Sequence, residues 1–275
     1  SKSGKSLAEF LQSEVDRLGG PFPPMSAGEM SQAAGILAAS AGTLAHRYIE
    51  CQLLGIKDEQ PELREKEDLE AITAMLSYLD KKGVKFEADF IERRVGSLLY
   101  KMCGSMDALR KRDDGVYEIW DWKRTQYVHD WIKSAKQKDP DDPHHWVCDM
   151  SSINFSDSLM AYHIQAAGYH QLESHSDTEK VISTSAFLGA IHPSFERKFI
   201  VLEMVLDAPM KPKALVATKN IGNYTMDGKA FECKTMSSLD YVKSLMHHRL
   251  GHLKRHYKCE PDLTGHKRLK TEEAL

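Results

Sequence analysis

Residues 104–123 have the sequence GSMDALRKRDDGVYEIWDWK, and this stretch decides the fold. The turn sequence Asp113-Asp114-Gly115 lies between two segments in which apolar and polar residues roughly alternate, which predicts a β-hairpin. If the turn centres on Asp114, residues whose numbers sum to 228 lie opposite each other. That register pairs Ala108 with Trp120. It also pairs Arg110 with Glu118, and opposite charges in cross-strand positions favour it.

The same register sets Asp107 opposite Asp121. Lys123 lies on the same face, because side chains alternate across a strand. The Cβ atoms of directly opposite residues are about 5 Å apart. Two carboxylates this close repel each other unless one takes up a proton or a cation lies between them. The hairpin therefore predicts a divalent-cation site beside a lysine, and the alternative is an ordinary hairpin with a charged, solvated face.

Two predicted helices flank the hairpin in sequence. Residues 42–50, GTLAHRYIE, place Thr43 at a plausible N-cap and put His46 and Glu50 on one helical face. Residues 156–174, SDSLMAYHIQAAGYHQLES, open with a Ser-Asp cap and predict a second helix. One stripe of that helix carries Tyr162, Gln165, Tyr169 and Leu172.

A helix with His, a hairpin with D…DxK and a helix with QxxxY follow one another in this order. The combination resembles the PD-(D/E)XK nuclease superfamily, in particular the branch of the RecB-type nucleases, the Cas-associated four-type exonucleases and the mitochondrial genome maintenance exonuclease. The resemblance covers about residues 46–207. It implies that His46, Asp107 and Asp121 bind metal together with the Trp122 carbonyl, and that Lys123 is the catalytic lysine. Gln165 and Tyr169 match the helix motif that supports the active site and the nucleic-acid strand.

The resemblance also implies the fold and the activity. The expected fold class is α/β, a restriction-endonuclease-like central mixed sheet flanked by helices, with extra N- and C-terminal helices. The expected activity is Mg- or Mn-dependent hydrolysis of phosphodiester bonds, by a DNA exonuclease whose product carries a 5′-phosphate. A nitrogen ligand at His46 favours Mn over Mg. The expected partners are DNA with a free end and, beyond it, replication or repair proteins.

Three alternatives remain open at this stage. The first is an RNA endonuclease of the same superfamily, such as the cap-snatching kind, against which the QxxxY helix speaks. The second is a catalytically inert nucleic-acid-binding module, although such a module has no reason to retain paired carboxylates near phosphate. The third is a structural or interaction protein in which the D…DxK pattern arose by chance.

Composition agrees with an intracellular enzyme. The 275 residues are 41% hydrophobic, enough for one sizeable core. The cysteines show no CxxC spacing, which argues against an iron–sulfur cluster and favours free thiols in a reducing compartment; they are Cys51, Cys103, Cys148, Cys233 and Cys259. No apolar run is long enough to span a bilayer and no signal-peptide pattern is visible, so no membrane partner is expected.

The formal net charge is −3, but the charges are segregated along the chain. Residues 58–70 are acidic, whereas residues 254–270 are basic. A second basic cluster surrounds the hairpin and predicts a local nucleic-acid groove; it consists of Arg93, Arg94, Lys101, Arg110, Lys111, Arg112, Lys123 and Arg124.

The positions of Gly and Pro, which interrupt helices and strands, predict the remaining secondary-structure elements and the domain boundaries. An N-terminal helical region covers residues 1–40 and contains a helix over 7–18, a proline linker over 21–24 and a helix from Ser26 towards Ser40. The nuclease domain covers residues 41–275. Its other predicted elements are a helix over 66–82, strands over 84–95, 98–112, 181–191 and 198–207, and a C-terminal helix over 238–258. The first two of these strands are joined by a predicted turn at Gly96-Ser97.

Two segments of that domain lack a clear assignment. Residues 124–155 form a long insertion marked by Pro140 and Pro143, and a long loop beside an active site is often functional. Its Trp131, His144, His145 and Trp146 either stack on bases or anchor the loop in the core. The C-terminal helix carries His248, His252 and His256 on one stripe, which lacks the tetrahedral arrangement of a zinc site and is interpreted as facing solvent or phosphate.

Overall fold

The computed structural model describes residues 27–63, 65–149, 157–176, 179–192, 194, 196–210 and 236–257. The predicted helix over 7–18, the proline linker, the basic run beyond Tyr257, Cys233 and Cys259 lie outside the described residues. Within the described part of the chain, no helix has the length and apolarity needed to cross a bilayer.

The described chain contains five α-helices and nine β-strands. The helices are α1 (Ala27–Leu54), α2 (Lys66–Lys81), α3 (Val128–Lys133), α4 (Asp157–Ser176) and α5 (Ser238–Tyr257). The strands are β1 (Ile91–Ser97), β2 (Met102–Lys111), β3 (Tyr117–Arg124), β4 (Lys136–Gln137), β5 (His145–Asp149), β6 (Ile182–Ile191), β7 (Phe199–Val205), β8 (Pro209–Met210) and β9 (Met236–Ser237).

Seven strands form one mixed sheet in the order β1-β2-β3-β6-β7-β5-β4. The β1–β2, β2–β3, β6–β7 and β4–β5 pairs are antiparallel, whereas β3–β6 and β5–β7 are parallel. Strands β8 and β9 form a separate two-stranded sheet. The mixed sheet with helices on both faces confirms the predicted fold class, an α/β architecture of the restriction-endonuclease-like kind.

The helices cover the two faces of the sheet with separate cores. On one face α1 and α2 pack through residues such as Ile49, Ile72 and Met75. On the other face α4 and α5 pack through residues such as Ile164 and Val242. The two faces bury different sides of the same hairpin, because its residues alternate across β2 and β3. The hairpin is therefore held from both sides.

The predicted register of the hairpin is confirmed. Ala108 lies opposite Trp120 and Arg110 opposite Glu118. Arg110 Nη1 donates to Glu118 Oε2 at 2.8 Å, the contact that the opposite charges predicted. Gly115 closes the turn with φ +82°, a conformation that glycine adopts without steric cost.

The structure corrects the prediction of two separate helices between residues 26 and 54. A single helix, α1, runs from Ala27 to Leu54 and crosses the expected boundary between residues 40 and 41. Thr43 therefore does not cap a helix; its hydroxyl donates to the Ala39 carbonyl at 3.1 Å within α1. Alanine has the highest intrinsic helix propensity, so the Ala-rich segment continues the helix through Gly35 and Gly42.

The predicted first strand and its turn are also corrected. Residues 84–90 are not a strand and include a 3-10 turn at Ala88–Phe90, so β1 begins at Ile91. The connection to β2 lies at residues 98–101 and not at Gly96-Ser97. The later elements agree more closely: β6, β7 and α5 begin within one residue of the predicted positions.

The described part of the predicted insertion is ordered structure and not a long loop. It forms α3, β4 and β5, and β5 extends the sheet by pairing in parallel with β7. Trp131 is fully buried, which agrees with the anchoring alternative and excludes it from stacking on bases. The side chain of His144 stacks on Phe199, with ring centroids 4.1 Å apart.

Candidate active site

The C-terminal half of α1 and the strands β1, β2 and β3 line an open cavity of about 670 Å³. It brings together His46 from α1, Asp107 from β2 and Lys123 from β3. The full lining consists of Ala38, Ala39, Gly42, Thr43, His46, Arg47, Glu50, Glu92, Asp107, Lys123 and Arg124. Three residues predicted from two separate sequence motifs therefore share one concave surface.

Asp107 is held by both neighbouring elements. Its Oδ2 atom accepts a hydrogen bond from the Trp122 backbone N–H at 2.6 Å and lies 3.3 Å from His46 Nδ1. Burial acts to raise the pKa of Asp107, but the hydrogen bond and charge of His46, the charge of Lys123 and the hydrogen bond from the Trp122 N–H together lower it. Conversely, burial acts to lower the pKa of His46, and Asp107 raises it above its ordinary value.

Asp121 has the opposite pKa shift. Its burial, followed by the charge of Asp107, raises its pKa to about 6 against the attraction of Lys123. Lys123 Nζ pairs with Asp121 Oδ2 and lies 5.2 Å from the centroid of the Tyr162 ring. Burial acts to lower the pKa of Lys123, but the two aspartates raise it, so the lysine is charged at neutral pH.

The motif on α4 reaches the hairpin through Tyr169. Gln165 Nε2 donates to the Tyr169 hydroxyl at 2.8 Å, which joins the two predicted residues. A Cβ at Gly104 would lie 2.8 Å from Tyr169 Cε1, so a side chain there would collide with the ring. The glycine three residues before Asp107 therefore has a packing reason, because it admits the α4 tyrosine against β2.

Trp122 fixes β3 on the opposite face. Its indole is buried, and a Cβ at Gly189 of the neighbouring strand would lie 2.6 Å from the Trp122 ring. The backbone N–H of Trp122 points to Asp107, so the large side chain and the hydrogen bond together hold Asp121 and Lys123 in place. A role of the Trp122 carbonyl in metal binding stays a prediction.

Glu92 lines the cavity and was missed by the sequence analysis. Glu92 is exposed to solvent, and the partial burial of its carboxylate, followed by the charges of Asp107 and Glu50, raises its pKa. The observed β1–β2 pairing, with Ile91 opposite Ala108 and Arg93 opposite Met106, places Glu92 opposite Asp107. Only the correct position of the β1–β2 turn could have shown from the sequence that Glu92 lies opposite Asp107. The predicted turn at Gly96-Ser97 sets Glu92 opposite Lys101 instead.

The predicted basic cluster around the hairpin is largely neutralised by structural ion pairs. Arg93 pairs with the buried Glu173, and Arg110 pairs with Glu118. Arg124 donates from Nε to Asp68 at 2.8 Å and from Nη2 to Glu65 at 2.8 Å. Of the eight basic residues, only Lys123 and Arg124 line the cavity.

The donor types in the cavity fit a divalent cation. Two carboxylates and an imidazole are ligands that Mg or Mn accepts, and the Lys123 ammonium on Asp121 occupies the place of a cation. Among the residues that the structure describes, no three His, Cys, Asp or Glu side chains yet form a closed metal-binding group. The carboxylates are turned instead towards Lys123, His46 and the Trp122 N–H.

Comparison with solved structures shows a similarity of fold at low sequence identity. No protein-family model matches the chain, and no curated protein sequence does. The chain is similar to the crystal structure of a "putative exonuclease" from Eubacterium rectale, with 14% identity and a TM-score of 0.40 over 95% of this chain and 82% of that one. A likeness at this level carries no argument about activity.

Proposed function

We propose that the chain is a metal-dependent nuclease that hydrolyses phosphodiester bonds, with DNA as its polymer and a free end as its target. One observation carries the proposal. His46, Asp107 and Lys123, from three different elements, line one cavity, and Asp121 lies beside Lys123. This is the grouping that the order of the sequence motifs predicts.

The phosphodiester bond is hard to hydrolyse because its negative charge repels nucleophiles. A divalent cation, when bound, would neutralise that charge and acidify a bound water. The residues that would hold it are His46, Asp107 and Asp121. The buried carboxylates supply the negative charge that attracts a cation, since the raised pKa of Asp121 reflects repulsion and burial that a cation would relieve.

Lys123 lies where a positive charge would stabilise the transition state of phosphodiester hydrolysis. It is charged and largely buried, so its field on a phosphate oxygen is weakly screened. Its ammonium would orient the attacking water or stabilise the charge that develops on the phosphate. Tyr162 lies under the ammonium and limits its movement.

The test is a cleavage assay on end-labelled polymers. Single-stranded DNA, double-stranded DNA, circular DNA and RNA of the same sequence are incubated with Mg or Mn, with and without EDTA. We expect metal-dependent loss of labelled linear DNA and no cleavage of the circle. Cleavage of RNA would show that DNA is not the specific polymer, and cleavage of the circle would show that no free end is required. Binding without cleavage in any metal would favour a catalytically inert nucleic-acid-binding module.

A further inference from the structure

Glu92 occupies an electrostatically unfavourable position in the sheet. The pairing of β1 with β2 sets it opposite Asp107. Like charges in directly opposite positions destabilise a sheet. Glu50 lies one turn of α1 after His46 and adds a third carboxylate to the same cavity.

The backbone at Glu92 is unfavourable as well. Its φ is +50°, and among the described residues only Lys101 and Lys198 share a positive φ without being glycine. Side chains other than glycine, asparagine and aspartate rarely adopt this conformation. This conformation occurs within β1, at a residue whose side chain lines the cavity.

The Glu92 carboxylate is poorly compensated in comparison with Glu50. Glu50 Oε1 pairs with Arg47 Nη1 at 2.5 Å. The hydrogen bond to Glu92 comes from the Ser105 hydroxyl at 3.4 Å, which is long. In the described part of the chain, no Lys or Arg lies within ion-pair distance of Glu92. Its negative charge is therefore available to an added cation.

We propose that Glu92 binds the cation of the candidate site and completes the donor set of His46, Asp107 and Asp121. This inference rests on the proposed function, because it concerns the same cation. A bound cation would offset both the unfavourable backbone conformation of Glu92 and the repulsion between its carboxylate and Asp107.

The test measures cation binding and stability and does not depend on activity. Glu92→Gln keeps the shape and removes the charge. Glu92→Gly removes the side chain and relieves the positive φ. For each protein, Mn affinity is measured by titration calorimetry, and thermal midpoints are measured in EDTA and in excess Mn. Lys198→Gly is the matched control, because it relieves a φ of +61° outside the cavity.

Both Glu92 variants should bind Mn at least about tenfold more weakly, the size of effect known for residues that support a metal. Their midpoints in EDTA should rise, because repulsion with Asp107 disappears, and the increase produced by Mn should shrink. A purely structural glutamate would instead lower the midpoint in EDTA. Lys198→Gly should keep the Mn affinity and the Mn-induced increase of the wild type.

Each outcome decides. Wild-type Mn affinity in folded Glu92 variants overturns the inference while leaving the proposed nuclease intact, provided that the wild type binds Mn and cleaves DNA. Weaker Mn binding together with a lower midpoint in EDTA also overturns it, because Glu92 would then hold the fold. A wild type that neither binds Mn nor cleaves DNA overturns the proposed function as well.

Discussion

Carboxylates with low solvent exposure at two places in the molecule differ in how well they are compensated by hydrogen bonds and opposite charges. Beside the cavity, the pKa of Asp121 rises to about 6. Near the opposite edge, the pKa of Asp142 falls to about 2. Burial acts to raise the pKa of Asp142, but it accepts hydrogen bonds from the Tyr78 hydroxyl at 2.8 Å and the His144 N–H at 3.0 Å, and pairs with Lys82 at 2.7 Å.

Glu203 on β7 repeats the compensated pattern. His145 Nε2 lies 3.3 Å from its carboxylate, Lys138 pairs with it, and the Ser185 hydroxyl donates to it at 3.0 Å. These partners lower its pKa to about 2. The carboxylates at the two places therefore differ in the direction of their pKa shifts and in their effect on stability. The ionised forms of Asp142 and Glu203 are stabilised by their partners, whereas the raised pKa of Asp121 means that its ionised form lowers stability at neutral pH.

The largest expected effect comes from neutralising the crowded pair. Asp121→Asn or Asp107→Asn should reduce cleavage by at least about a thousandfold, because the cation loses a charged ligand worth several kcal/mol in the transition state. Nucleic-acid binding should be largely kept, since most affinity comes from phosphate contacts elsewhere. Turnover is measured on end-labelled DNA, and binding is measured in EDTA.

The Asp121→Asn variant also tests the contrast in stability. A folded-state pKa above the unfolded value of about 3.9 means that stability falls as pH rises from about 4 to about 6. The asparagine removes this loss, so the variant in EDTA should unfold no more easily than the wild type at neutral pH. Unchanged turnover in either variant would remove the candidate site.

The second effect separates the lysine from the cation ligands. Lys123→Ala should lower turnover by about a hundredfold, as expected for the loss of a positioned electrostatic group. Its Mn affinity should stay within a small factor of the wild type, because the ammonium repels the cation. If calorimetry showed Mn affinity lost with the fold intact, Lys123 would act by organising the metal site.

The hairpin and its register could be predicted because their signals are local. A turn sequence, alternating polarity and the charge pair Arg110–Glu118 all lie within residues 104–123. The motif residues Gln165 and Tyr169 were found in the same way, from helical spacing. The two-helix prediction failed because it weighted Gly42 and a potential Thr43 cap above the high helix propensity of the alanines around them.

Other features depend on contacts between distant parts of the chain. The pairing of Arg124 with Asp68 joins residues 56 positions apart, and a basic residue near a hairpin gives no sign of such a partner. Glu92 requires the exact β1–β2 register, which a short shift in the turn alters. The sheet strand β5 pairs with β7 across about 55 residues, so periodicity did not distinguish it from a loop.

The third effect is on stability alone and occurs at the compensated edge. Asp142→Asn should lower the free energy of unfolding by about 1 to 3 kcal/mol, because Lys82 and Tyr78 lose a charged acceptor. The contribution of Asp142 is fully present above pH about 4 and is lost as pH falls towards 2, since its folded-state pKa is lowered. Denaturant titrations at neutral and acid pH measure it.

Cleavage per folded molecule should be unchanged in Asp142→Asn, since the residue lies outside the cavity lining. The same substitution at Asp121 should have the reverse pattern, with lost cleavage and retained stability. If both variants lost stability alike, the proposed difference between crowded and compensated carboxylates would be wrong.

The smallest expected effect concerns His46 and the choice of metal. Neutral imidazole is a better ligand for Mn than for Mg. His46→Ala should therefore slow cleavage about tenfold in Mn and less in Mg, which lowers the ratio of the activity in Mn to the activity in Mg. Asp107 raises the pKa of His46, so protonation competes with the cation already above the ordinary pKa of about 6.5. Wild-type Mn affinity should therefore fall as pH falls through this range, and the dependence should weaken in the variant. Activity profiles in both metals, measured at matched folded fraction, separate this role from packing, because a histidine that only packs against β2 would lower stability and leave the Mn-to-Mg ratio unchanged.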